Sequence, residues 1–191
     1  MRESRYKEKK KTLQKITNEI KNCEICNRYK IGQLVPGEGK IDTKIIFLGE
    51  APGLNESKTG HPFIGRSGKF LTKLLLSIGL KREEVFLTSP VKYYPGNRAP
   101  KNEEIRHGMI HTSKQIEIID PKLIVMLGNV ALKALFPNEK FKLSKIHDKI
   151  IKKEGRIYFP TFHPAAAMRF PKIRKLMEKD FKKLKKLVKR L

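Results

Sequence analysis

Three residues combine reactive or stacking side chains with positions that a fold would expose: Glu50, Phe63 and His163. Glu50 and Phe63 belong to one stretch, GEAPGLNESKTGHPF (49–63), which follows a short apolar run and holds two Pro, three Gly and two Glu. Gly49 and Gly53 with Pro52 let the backbone approach a ligand and offer it N–H groups. No Gly-Lys-Ser/Thr follows, so this is not a phosphate-binding P-loop, and the dinucleotide fingerprint is missing too. Glu50 can hold or polarise a water, or it can be a helix-capping or salt-bridge carboxylate. Phe63, between Pro62 and Ile64, is either core or a stacking platform for a base. His163 lies in FPTFHPAAAMR, just past another apolar run, and is either structural or catalytic. The Ala-Ala-Ala-Met that follows, ending at Met168, forms an apolar bump beside Arg169. A wedge next to a cation suits insertion into a base stack with a phosphate contact. The remaining histidines, 61, 107, 111 and 147, show no metal spacing, and His107 and His111 have no acidic third ligand nearby. No metal site is expected, and no carboxylate cluster for Mg²⁺ is visible.

The elements that must position these residues alternate. Four short runs read as buried strands: 44–49, 85–89, 123–128 and 157–162, each β-branched or aromatic and each ending at a Gly, Pro or polar turn. Helical patterns fill the chain between and around them. The first covers 7–22, with Leu13, Ile16 and Ile20 on one side. The next is 66–78, with Phe70, Leu71, Leu74, Leu75 and Ile78 on one face. A third covers 102–118 and is opened by an Asn102 cap. Two more cover 129–136 and about 172–190. This alternation predicts one α/β domain over 1–191, a central mostly parallel sheet with helices on both faces, and residues 1–22 packed on it as a basic helix. Ligands of such folds bind beyond the carboxyl ends of the strands, and the unusual loops all fall there. Four loops are therefore expected to converge on one rim.

Charge narrows the partner. Lys and Arg number 43 against 19 Asp and Glu, a formal net charge of +24. An excess of one sign opposes compaction and is normally compensated by a polyanion, here nucleic acid. The bland reading is a Lys-rich surface in a heat-adapted protein, but such adaptation adds both signs. No apolar stretch approaches the roughly 18 residues of a membrane span. The basic N-terminal residues have no apolar segment behind them, so a cytoplasmic protein working at the chromosome is expected.

The motifs GEAPG, GHPFIGRSGKFL, VKYYPGNRAPKNEEI, PKLIVMLG and TFHPAAAMR, in this order and from about Cys23 to the final helix, resemble family 4 uracil-DNA glycosylases. The resemblance implies a three-layer fold, DNA as partner, a monomer, and hydrolysis of the N-glycosidic bond of a flipped-out base. It places Phe63 against the base, Glu50 with the Ala51–Gly53 backbone on the water side, and Asn97 facing the sugar. His163 would donate to the base carbonyl as negative charge builds there. Arg66, Lys92, Arg98, Met168 and Arg169 would contact DNA. Two departures stand out. Family members hold an iron–sulfur cluster on four cysteines, whereas here Tyr93 and Gly108 occupy two of those places. Two thiolates cannot hold a four-iron cluster, so no cofactor is expected. Cys23 and Cys26 are left to bind a metal with other ligands, form a disulfide or stay reduced. The second departure is Ser89, in the place of an Asn that reads uracil, which implies altered selectivity toward hypoxanthine or another deaminated base. A DNA-binding paralogue without catalysis is the alternative function.

Overall fold

In a computed structural model, which describes residues 2–28 and 30–191, the four apolar runs become adjacent parallel strands. They are β2 (Ile45–Leu48), β3 (Phe86–Thr88), β4 (Leu123–Leu127) and β6 (Arg156–Thr161), each within two residues of its expected bounds. Two short strands complete a six-stranded sheet among the described residues: β1 (Glu38–Gly39) and β5 (Ile151–Lys153). The order is β1-β3-β2-β4-β6-β5, parallel through the middle and antiparallel at both edges. Both edge strands lack the long apolar run that marks a buried strand, which is why the sequence does not announce them.

Side-chain alternation along the strands divides the core cleanly. Ile45, Phe47, Val85, Leu87, Leu123, Val125 and Phe159 face one way. They meet α4 (Arg66–Ser77) and α9 (Pro171–Val188) through Phe70, Leu71, Leu74, Met177, Phe181 and Leu184. Ile46, Leu48, Phe86, Ile124, Met126 and Tyr158 face the other way. They pack on α5 (Asn102–Ile119), α6 (Asn129–Leu135) and α7 (Leu143–Ile146). The result is the three-layer architecture expected. Phe47 and Phe181, both fully buried and stacked at 6.2 Å, join the sheet to the last helix.

The helix over 7–22 extends to α1 (Arg2–Asn22), because its first turns are charged residues of good helical propensity supported by pairs such as Lys7–Glu3 at 3.0 Å. Ile16 and Ile20 are buried in a third cluster with Tyr93, and α1 lies along α5. The α5 cap is not Asn102. Lys101 holds the cap position, and its N–H donates to Glu104 at 2.6 Å, while Asn102 is already helical. Four short helices have no periodic signature at all: α2 (Glu24–Arg28), α3 (Leu54–Thr59), α7 and α8 (Pro164–Arg169).

Candidate active site

The chain leaves β2 toward β3 on one side, and β4 joins β2 on the other, so the sheet order reverses at β2. A crevice beyond the carboxyl ends is the expected consequence of such a reversal. A cavity of about 460 Å³ lies there, lined by Glu50, Ala51, Gly53, Phe63, Ser89 and His163, with Arg98, Arg169 and Phe170 also on its wall. The loops after β2, β3 and β6 build it. The loop after β4 does not reach the cavity, which corrects the expected convergence of four loops. It works from behind: Gly128 N–H donates to Thr161 at 2.9 Å, and Gly128 stands against the β-carbon of His163.

Phe63 is held in an unfavourable backbone state. Its φ is +54°, a region that bulky residues rarely adopt and that persists only where neighbours over-determine it. Those neighbours are present. Glu56, only 7% exposed, accepts from the Ile64 N–H at 2.9 Å and the Gly65 N–H at 2.8 Å, which also caps the start of α4. Arg82 donates to the carbonyl of Phe63 at 3.0 Å and to that of Pro62. The ring then lies over Gly49 so closely that a β-carbon there would stand 2.4 Å from its tip. Glu56 and Arg82 escaped the sequence reading; their one signal was a second acidic residue in a loop of a basic chain.

His163 presents a defined hydrogen. It caps α8, its Nδ1 accepting from the Ala165 N–H at 3.2 Å. Burial among the loops pushes the imidazole down to about 4, so the ring is neutral at pH 7. A neutral ring whose Nδ1 accepts must carry its proton on Nε2, an assignment drawn from the hydrogen bond. The ring therefore offers the cavity an N–H donor, with its centre 6.4 Å from that of Phe63. The preceding strand is pinned from α9: buried Asp180 accepts from the Thr161 hydroxyl at 2.6 Å and from His147 Nδ1 at 3.0 Å. Opposite in chemistry, Glu50 is half-buried, and burial pushes its carboxyl above the ordinary carboxylate value. Ser89 donates its hydroxyl hydrogen to the Val91 carbonyl at 2.7 Å, leaving lone pairs for a ligand.

The expected DNA contacts divide. Arg66, Met168 and Arg169 line an adjoining groove of about 540 Å³, and Arg169 belongs to both hollows. Met168 and Phe170 are 45% and 52% exposed, so the wedge beside Arg169 has a second apolar member that went unread. Arg98 lines the cavity while forming two 2.7 Å bonds with Glu104. Asn97 is exposed and accepts from the Tyr94 hydroxyl at 2.6 Å; Tyr94 and Gly96 line the cavity, and Asn97 does not. Lys92 is a correction. It is 2% exposed and donates to Thr88 and Gln115 at 2.8 Å each, so it cannot touch a phosphate. Burial pushes its ammonium down to about 7.

Residues 36–190 match the family model described as the uracil DNA glycosylase superfamily. The chain belongs to that superfamily. A type-4 uracil-DNA glycosylase of Sulfurisphaera tokodaii is 42% identical over 186 residues, covering 92% of this chain and 84% of the relative. That of Saccharolobus solfataricus is 41% identical, covering 91% and 85%. One from Thermotoga maritima is 38% identical, covering 92% and 94%.

Within this uracil-DNA glycosylase framework, the four-cysteine iron–sulfur cluster does not fit. Tyr93 is buried against Ile16 and Ile20, and a side chain at Gly108 would strike the Pro90 carbonyl. His107 and His111 lack an acidic third ligand among the described residues, as expected, but they are not isolated from other ligand atoms. Both meet Cys23 and Cys26, the four ligand atoms lying within 4.8 Å of one another. Among the described residues, no helix is long and apolar enough to cross a membrane.

Proposed function

We propose that the protein is a hydrolytic DNA N-glycosylase that removes uracil flipped out of DNA. The observation that carries this reading is the facing of Phe63 and the neutral His163 donor across a cavity that also holds the Glu50 carboxyl. A flipped base stacks on Phe63. As the bond from C1′ to the base breaks, its electron pair moves onto the base, and the sugar becomes oxocarbenium-like. His163 donates Nε2–H to the base carbonyl where that charge collects, which lowers the barrier. Glu50 holds the water that adds to C1′ and takes its proton, since Ala51 brings no carboxylate. Arg66, Arg169 and the Met168–Phe170 bump track the strand and its phosphates.

Selectivity follows from Ser89. Its hydroxyl hydrogen is engaged by Val91, so toward a base it acts as an acceptor. Uracil and hypoxanthine each present a ring N–H to such an acceptor; cytosine presents a lone pair at the same ring position and is refused. The second amide contact that an Asn would make is lost, which weakens uracil binding and leaves room for a purine. The test is single-turnover release from oligonucleotides carrying uracil, hypoxanthine, xanthine or cytosine, for the wild type and Ser89→Asn. Uracil release with weaker hypoxanthine release, and a gain for uracil in the variant, is expected. Uracil release unchanged in Ser89→Asn, with purines ignored by both proteins, refutes the role of Ser89. No release of any base refutes the enzyme and leaves a DNA-binding protein.

A further inference from the structure

The corner between α1 and α2 holds Cys23, and Cys26 follows one turn later within α2. Across from them, α5 presents His107 and His111, four residues apart and hence on one face. Cys23 Sγ lies 3.0 Å from His107 Nε2. The two imidazoles meet edge to face, at 79° with centres 5.5 Å apart, so both rings can aim a nitrogen at one point. His111 is buried with both ring nitrogens lacking a hydrogen-bond partner. An imidazole left this way has given up the hydrogen bonds it makes in water, and a metal ion accepting one lone pair supplies a partner in their place.

We infer that Cys23, Cys26, His107 and His111 form a closed tetrahedral zinc site. Bonds of about 2.3 Å to sulfur and about 2.0–2.1 Å to nitrogen place tetrahedral ligand atoms roughly 3.3–3.8 Å apart. All four donors lie within 4.8 Å of one another, so sub-ångström side-chain adjustments close the set. Two thiolates with two imidazoles select Zn²⁺ by softness and geometry, and the net charge of the centre is then zero. The C-x₂-C and H-x₃-H spacings are those of structural zinc sites. A two-iron centre with cysteines on one iron and histidines on the other needs its two ligand pairs separated by the cluster. The 3.0 Å contact between Cys23 and His107 leaves no such space. With four protein ligands the ion has no open position, so its work is structural: it clips the α1–α2 corner to α5. Its binding energy is then folding energy for the N-terminal layer.

Metal analysis of the full chain, purified with zinc in the medium and passed through gel filtration, tests this without any activity measurement. About one zinc per chain is expected. Cobalt(II) added to stripped protein should give intense visible bands of a tetrahedral ion with a thiolate charge-transfer band. Cys23→Ser and His111→Ala should lower zinc affinity, measured against a chromophoric chelator, by more than the roughly 10–100-fold lost with an outer-shell partner. His61→Ala, far from the cluster in sequence and outside it in space, should keep its zinc. If the ligand variants do not fold, the wild-type metal content and cobalt spectrum decide. Zinc-free protein after zinc supply, a pale octahedral cobalt spectrum, stoichiometric iron with sulfide, or a Cys23–Cys26 disulfide as the isolated state would each overturn the assignment.

Discussion

Replacing His163 by Asn separates its two jobs. Asn is a good helix-capping residue, so α8 keeps its start, but the side chain no longer delivers Nε2–H to a base. Release of uracil in a single turnover should fall by about 100-fold or more, the usual loss when a donor to a developing anion is removed. DNA affinity should not change. The pH dependence carries the sharper test. With an imidazole pushed down to about 4, roughly one ring in a thousand is charged at pH 7. Glu50 and every other titrating group are shared by both proteins, so they cancel in the ratio of the two rates. That ratio should stay flat from pH 8 down to about pH 5.

Stability gives an independent reading of the same group. The folded value near 4 lies below the ordinary 6.5 of an unfolded chain, so between them the unfolded state binds a proton that the folded state refuses. Stability is therefore lost as pH falls from 6.5 to about 4, and no further loss from this group occurs below that. The gap corresponds to about 3 kcal/mol, an upper bound because His163 is only partly buried and borders the open cavity. Urea unfolding should show wild type losing up to that much more than His163→Asn between pH 7 and pH 4. A rate ratio that grows as pH drops through 6.5 would mean that imidazolium is the working form. Equal rates for the two proteins would leave His163 a cap and nothing else.

Three further outcomes are expected. Affinity for undamaged DNA should fall with salt at a log–log slope of about −4 or steeper; a slope near zero would reduce the +24 charge to surface solvation. Gly49→Ala places a β-carbon against the Phe63 ring and should displace it into the cavity, slowing base release while circular dichroism and DNA affinity stay as in wild type. Glu56→Ala strands the N–H groups of Ile64 and Gly65 and frees Phe63 from its left-handed backbone, so denaturant unfolding should show a loss of about 2–4 kcal/mol.

The fold was legible wherever burial on both faces makes a strand apolar throughout. β2 and β4 are buried at every position, and their runs read directly. β5 reads Ile-Lys-Lys and has no such mark. In the site, Glu50, Phe63 and His163 could be found because each sits at the end of such a strand or in the loop it feeds. Lys92 was misplaced for a physical reason: lysine belongs to the surface unless a cage satisfies its three hydrogens. Here Thr88, Gln115 and the Pro36 carbonyl, from three distant segments, form that cage. His107 and His111 show no ligand set in the local sequence because the thiols beside them, Cys23 and Cys26, come from the α1–α2 corner by way of the tertiary fold.

The sheet's margins have a consequence for behaviour in solution. A row of unpaired backbone groups invites another sheet to add on, and natural proteins blunt such rows with short strands and lysines. Here one margin is two residues long, and the other carries exposed Lys152 and Lys153 beside half-buried Ile151. Part of the positive charge therefore guards against self-association, whatever it does toward DNA. Neutralising these two lysines should make the protein more prone to aggregate in concentrated stocks.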